Sequence, residues 1–456
     1  MADAGAEAPH PPHGAIGGVV LRQRFGWRWL AAFAAAVAGS LLFVYATVVL
    51  VVRGVGVWGT NIPHVWGFDI INYAWWIGIA NAASLMAAAF TVRRAPWRSA
   101  LNRFAESVAL FSVICAGLFP ILHLGRPWLF HWVFPYPATF GVWPQFRSPL
   151  VWDFFTILTH LVVTASFWYV GLIPDLAHLR DRARGALARK VFGVLALGWR
   201  GSARHWRNHQ RAYHTLAGLL VAMAVFMQST VSTEFAVTLV PEWHQPRYPL
   251  YFVVSGLISG IGMVLVVALL ARHFFELHGF ITQRHLDVVS SLLIANAIVI
   301  AWSYAFEAFS SWYASKVELQ SWLLRATGEF AWLYWGAVAC AVLAPQVLWW
   351  RRMRRNVAAL ILVGLLVAVG IWLDRFMIVV GGLLGDYLPS AWEGYSPSVW
   401  EWPLLVGSIA VYGTLILLFL RFVPVIPVFE VHAGRRDEDG DEARDEDGDR
   451  SGEDDR

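Results

Sequence analysis

His123 closes one long apolar run, in LHLGRPWLF at 122–130, and Asp153 opens the next, in SPLVWDFF. The segment between them returns the chain to the side it left, so the two run ends can be neighbours at one depth. An imidazole and a carboxylate so placed could bind the two hydroxyls of a quinol and take up its protons as electrons depart. The carboxylate would also orient the imidazole. Arg126 could hold that carboxylate or dock a neighbouring subunit. The plainer alternative makes His123 an interfacial residue at a helix end.

Other polar residues recur inside the apolar runs at helical spacing. Asp153, Thr156 and His160 share one face. Gln228, Ser232 and Glu234 lie toward the end of a second run, Asn296, Ser303 and Glu307 along a third, and Asp374 with Arg375 in a fourth. Asn81 and Ser84 belong to an earlier one. Ionisable side chains at such depths are costly and point to function, whereas neutral ones commonly bond helix to helix. The second reading suits Asn81, Ser84, Thr156 and Ser303. Chemistry suits Asp153, Glu307 and Arg375, because a neutral amide would serve packing at lower cost.

Apolar helices must position these side chains, and composition supplies them. The 456-residue chain is 58% hydrophobic, carries 26 Trp and is 14% charged, against about a quarter charged in a soluble domain. Ten runs are long enough to cross hydrocarbon, which takes roughly 20 residues. They fall at about 29–52, 70–92, 104–122, 150–173, 212–233, 249–271, 287–311, 328–350, 357–381 and 402–422. The first is too long for a signal-peptide core.

Cations gather before the first run, after the second, through the long 174–211 loop and in RRMRR at 351–355. By the positive-inside rule this alternation puts both termini in the cytoplasm. The opposite loops are rich in Trp and Pro, which suits an aromatic belt or a platform for an extracytoplasmic partner. The expected fold is an all-α polytopic membrane protein of ten transmembrane helices. A cytoplasmic segment at 1–28 precedes the 29–430 membrane domain, and a disordered acidic tail at 431–456 follows it. Cys115 and Cys340 both sit in apolar runs, there is no C-x-x-C-H haem motif, and only His160 lies mid-span. If the protein moves electrons over distance, the haem or iron–sulfur carriers are therefore on other chains. No nucleic-acid partner is expected.

The segments WGFDIINYAWWIGIANAASL, HLGRPWLF, SPLVWDFF, GLIPDLAHLRDRA, EFAVTLVPEWH, EAFSSWY, LDRFMIVV and LPSAWEGY resemble the NrfD/PsrC family of membrane subunits. Within it they look most like the ActC-type subunits of bacterial alternative complex III. The likeness runs from about Arg24 to Glu430. It implies two four-helix bundles, spans 2–5 and 6–9, with two peripheral helices. It further implies quinol, such as menaquinol, oxidised near the periplasmic face of a bacterial inner membrane. Electrons would pass to a periplasmic iron–sulfur or molybdopterin-type subunit and to multihaem cytochrome c subunits, beside a second NrfD-like membrane subunit. The family's quinol pair falls on His123 and Asp153, with Arg126 nearby. Glu307 and Arg375 match positions along proposed proton routes, and Glu234 and Asp374 join them as candidates. Asn81 and Gln228 stand where relatives often carry His. Amides do not relay protons as imidazoles do, so a transmembrane proton path does not follow from the resemblance.

Two other functions fit the same chain: a proton- or solute-translocating subunit, and a passive membrane anchor without a quinol site. Broken helices in matching halves would favour translocation, and the sequence offers no convincing pair. A b-type cytochrome would need paired axial His on facing spans.

Overall fold

The computed structural model describes residues 26–93, 101–133, 149–240, 242–314, 316–384 and 394–425. The acidic tail, most of the N-terminal segment and much of two Trp/Pro-rich loops lie outside these described residues.

Among the described residues ten helices are long and apolar enough to cross a membrane, at the places the apolar runs predict. In chain order they are α1 (Trp27–Arg53), α2 (Phe68–Val92), α3 (Asn102–His123), α4 (Pro149–Arg182), α6 (Ala203–Ala236), α7 (Tyr248–Phe274), α8 (Gln283–Ala314), α10 (Ala331–Val338, continued by irregular turns to Trp349), α11 (Val357–Val379) and α12 (Glu401–Phe422). Among the described residues three shorter helices lie between spans: α5 (Ala186–Leu195), α9 (Lys316–Thr327) and a single turn at Arg351–Arg354.

Helices α2, α3, α4 and α6 pack as one group and α7, α8, α10 and α11 as a second, while α1 and α12 pair with each other. The two groups meet where α2 lies against α7 and α11. Helix α2 buries 21 of its 25 residues, as a helix apolar all round should. Small residues set the approach. A Cβ on Gly256 would stand 3.2 Å from the Gly78 carbonyl oxygen, and one on Gly364 would stand 2.8 Å from that of Gly262. Such contacts replace the hydrophobic drive that lipid cannot supply between helices.

Neutral polar residues divide between two uses. Asn81 of α2 donates to Gln228 of α6 at 2.8 Å, and Gln228 donates to the Phe252 carbonyl at 3.0 Å. Ser84 meets His160 at 3.3 Å. These bond helix to helix, as expected. Thr156 and Ser303 do not: each donates to a carbonyl of its own helix, at 2.9 Å. A hydroxyl on a short side chain finds the carbonyl one turn back before it reaches a neighbouring helix.

Helices α4 and α6 run well past their apolar runs, at 34 residues each. Pro174 lies inside α4. The helix continues through it because Leu172, Leu176 and Ala177 pack against Ala196 and Trp199 beyond α5. At the same end Arg103 donates to Asp175 at 2.8 Å and to the Gly171 carbonyl at 3.0 Å, and Asn102 and Tyr213 donate to Glu106. This buried ionic lock ties α3, α4 and α6 together opposite His123.

Candidate functional site

Chain direction places the end of α3, the starts of α2 and α4 and the end of α6 at one end of the first bundle. His123 and Asp153 are both there, as expected, but each has a different partner. His123 Nδ1 bonds Asp69 Oδ2. Asp153 accepts from the Tyr73 hydroxyl at 2.5 Å and has the Glu234 carboxyl as its neighbour. The carboxylate that orients the imidazole is therefore Asp69 rather than Asp153. The reason is helical spacing: Asp69 and Tyr73 are four residues apart on α2, so they stand one turn above the other on one face, about 6 Å apart along the axis. One reaches the end of α3 and the other reaches α4.

Asp69 is 2% exposed and sits in the first turn of α2, where an anion is favoured. The Gly67 amide donates to its second oxygen at 3.3 Å. A carboxylate on Nδ1 fixes the tautomer with the proton there, leaving Nε2 as a free acceptor. The His123 side chain keeps 32% of its surface exposed. Ile121, Leu124 and Trp128, close to it in sequence, are all exposed. Trp66 meets the imidazole edge-on at 6.2 Å and stacks on Trp243 at 4.9 Å, and Phe235 packs against both tryptophans. A basic, oriented imidazole thus faces an aromatic, apolar surround.

Asp153 and Glu234 form a buried carboxyl pair. Glu234 Oε1 is buried without a partner among the described residues. The pair and Tyr73 can accept, hold and pass a proton one turn below His123.

Behind Asp69, the 54–67 connection is clasped to the start of α12. Glu401 accepts from the Gly59 and Ser398 amides, each at 2.7 Å, and from Tyr395. A Cβ on Gly67 would lie 2.7 Å from the Tyr395 hydroxyl, so only glycine fits. Burial and the neighbouring Glu401 push the Tyr395 phenol up, and burial lowers the nearby His64 imidazole.

The other expected site residues fall elsewhere. Arg126 is exposed and pairs with neither Asp69 nor Asp153 among the described residues. Glu307, Asp374 and Arg375 belong to the second bundle. Glu307 pairs with Arg247 and with Arg325, the latter at 2.6 Å, and Arg325 also reaches Glu242 at 2.9 Å. Asp374 accepts from Tyr251 at 2.6 Å, Tyr304 at 2.8 Å and Arg375 at 3.0 Å. Arg375 lies 3.9 Å over the Phe252 ring and donates to Ser255. One small cavity touches Arg247, Tyr251, Tyr304, Glu307, Arg325 and Asp374. Glu234, in the first bundle, is not part of it.

Asp69, Tyr73, Glu242, Arg247 and Arg325 are the members that sequence reasoning missed. The D-x-x-x-Y spacing in FDIINY was a usable signal for the first two. Among the described residues no three His, Cys, Asp or Glu side chains cluster as a metal site would require.

Comparison with known proteins agrees with this architecture. The family described as "Polysulphide reductase, NrfD" matches residues 56–385, which enclose both bundles and leave out α1 and α12. A Halobacterium salinarum protein assigned by name to dimethyl sulfoxide reductase, as one of its membrane subunits, is 25% identical, over 82% of this chain and 89% of its own length. A selenate reductase subunit of Mesobacillus selenatarsenatis is 24% identical, over 80% and 88%. An Archaeoglobus fulgidus Hdr-like menaquinol oxidoreductase integral membrane subunit is 25% identical, over 48% and 59%.

Proposed function

The chain belongs to the polysulphide reductase NrfD family, and from that premise we propose that it is the quinol-binding membrane subunit of a respiratory oxidoreductase complex. The observation that carries the reading is the pairing of His123 with Asp69 one turn from Tyr73 and Asp153. Quinol oxidation releases two electrons and two protons. His123 Nε2 takes the first proton from one hydroxyl, with Asp69 holding the imidazolium that forms. The carboxyl pair of Asp153 and Glu234, reached through Tyr73, takes the second. A lipid-soluble ring meets the exposed part of the His123 side chain next to Trp66.

The electrons leave to a periplasmic iron–sulfur or molybdopterin-type subunit. The relatives named for dimethyl sulfoxide and selenate reductases support such a catalytic partner, and the one named for menaquinol supports that quinol. An arrangement like alternative complex III would add multihaem cytochrome c subunits and a second NrfD-like subunit. Proton coupling would run through Glu307 and Asp374, which line one cavity, and Arg375, which donates to Asp374, with Glu234 serving the quinol end. The Asn81–Gln228 amide pair interrupts any continuation through the first bundle.

The purified chain is expected to retain quinone extractable by organic solvent, to lose it on His123→Ala, and to show no haem Soret band. Equal quinone content in both preparations would remove the site from His123. A Soret band that copurifies with the isolated chain would place a redox group on it.

The membrane is that of a bacterial cytoplasm, with the 174–211 and 351–355 segments inside. An impermeant maleimide added to intact spheroplasts is therefore expected to label His131→Cys and to spare Arg204→Cys. The reverse pattern would invert the protein and put its quinol site on the cytoplasmic face.

A further inference from the structure

The end of the molecule opposite His123 carries a basic knob. The 34 residues of α4 extend about 50 Å at 1.5 Å per residue, against roughly 30 Å of hydrocarbon. Helix α5 folds back along the overshoot. Tyr169 donates to the Leu195 carbonyl at 2.6 Å, and Arg180 donates to that of Trp199 at 3.0 Å. Between residues 174 and 211 the sequence has nine Lys or Arg and two Asp. Asp175 is buried in the Arg103 lock, and Asp181 is engaged by Arg180. Arg182, Arg184, Lys190, Arg200, Arg204 and Arg207 are exposed, and among the described residues none of the six is in an ion pair.

The chain's own strongest negative charge is tethered beside this surface. Residues 435–456 contain twelve Asp or Glu and five Arg. Helix α12 ends at Phe422, and Val423 packs onto the apolar cluster of Leu172, Leu176, Ala177, Ala196 and Trp199 that holds the knob together. Val425 is buried as well. The ten residues from there to Arg435 can reach up to about 35 Å, while α5 is about 15 Å long. Every cation of the knob is thus within reach of the acidic stretch.

We propose that the acidic segment 437–455 of this same chain docks on the basic knob built from the end of α4, α5 and the start of α6. Charge complementarity supplies the attraction. The tether at Val423 favours this segment over anionic lipid or a separate acidic protein, because a short linker gives an effective concentration in the millimolar range. Once docked, the segment neutralises a surface that would otherwise draw phosphate headgroups.

Lys190 is a built-in reporter, since the chain's one other lysine, Lys316, lies beyond α8 at the far end. The full chain in zwitterionic nanodiscs is treated with a carbodiimide, which activates a carboxyl so that Lys190 Nζ displaces it to form an amide. Peptide mapping is expected to find Lys190 joined to 437–455 at low salt, with the yield falling at least about tenfold in 0.5 M salt as screening shortens to a few ångströms. In an equal mixture of light and 15N-labelled chains, the links are expected to join peptides of one label. Truncation before Arg435 is expected to speed acetylation of Lys190 by an impermeant ester several-fold. Three results overturn the proposal: no link at low salt with acetylation unchanged by truncation, a link insensitive to salt, or links mainly between labels. The last would assign the contact to a neighbouring copy.

Discussion

Asp69→Asn is expected to lower quinol oxidation by the assembled complex at least about tenfold, because oriented general-base assistance is typically worth about a hundred- to ten-thousand-fold. Asparagine keeps the shape and can still accept from the Gly67 amide, so the start of α2 should hold. It cannot stabilise an imidazolium at His123, nor fix the imidazole with Nε2 free. Asp69 does not touch the quinol in this reading, so it is a positioning residue. Its loss should fall on kcat more than on KM, whereas His123→Ala should damage both. Asp153→Asn should cost at least about tenfold as well, since it removes one ionisable member of the pair with Glu234 while leaving an acceptor for Tyr73. Turnover and quinol affinity unchanged in both Asn variants of an intact complex would mean that the site lies elsewhere and that His123 is an interfacial residue.

The contrast between Asp69 and Asp153 indicates what a sequence can disclose. Ten spans were legible because hydrocarbon thickness sets a minimum run of apolar residues, and because clustered cations mark alternate ends. The extra turns of α4 were not legible, since PDLAHLRDR reads as the end of a helix. Only the packing of Leu172, Leu176 and Ala177 on Trp199 keeps it helical past Pro174. Asp69 was hidden for a different reason: an acid in the first turn of a helix is ordinary, and its function rests on a contact with His123, 54 residues away. Asp153 stood out because it sits next to the same loop as His123, yet adjacency in sequence did not decide which carboxylate the imidazole meets. The long-range pairs of the second bundle were beyond reach for the same reason. Arg247 and Arg325 lie outside the apolar runs, where a cation is unremarked, and the structure folds both onto Glu307.

Arg325→Met is expected to destabilise the protein by about 3–5 kcal/mol, the usual cost of removing one partner from a buried ion pair. Arg325 is 4% exposed although it belongs to α9, which does not span. Burial pulls its guanidinium down, but Glu242 and Glu307 hold it well above its ordinary value. With Arg247 these four groups balance two positive and two negative charges. Methionine would leave Arg247 facing both carboxylates. Glu242 suffers most, because burial already pushes its carboxyl up and Arg325 is the main charge opposing that rise. The same guanidinium joins α9 to α8 through Glu307 and to the 237–247 connection through Glu242, so its removal should also loosen α9 from the bundle. A second change, Glu242→Gln, restores charge balance without changing shape. The double variant is therefore expected to recover more than half of the loss in thermal unfolding of the detergent-solubilised chain, as coupled partners do. A single variant within about 0.5 kcal/mol of the parent, the range of ordinary surface changes, would show that water screens this cluster and that it does not hold α9. A double variant no better than the single would trace the loss to the packing of the arginine stem rather than to its charge.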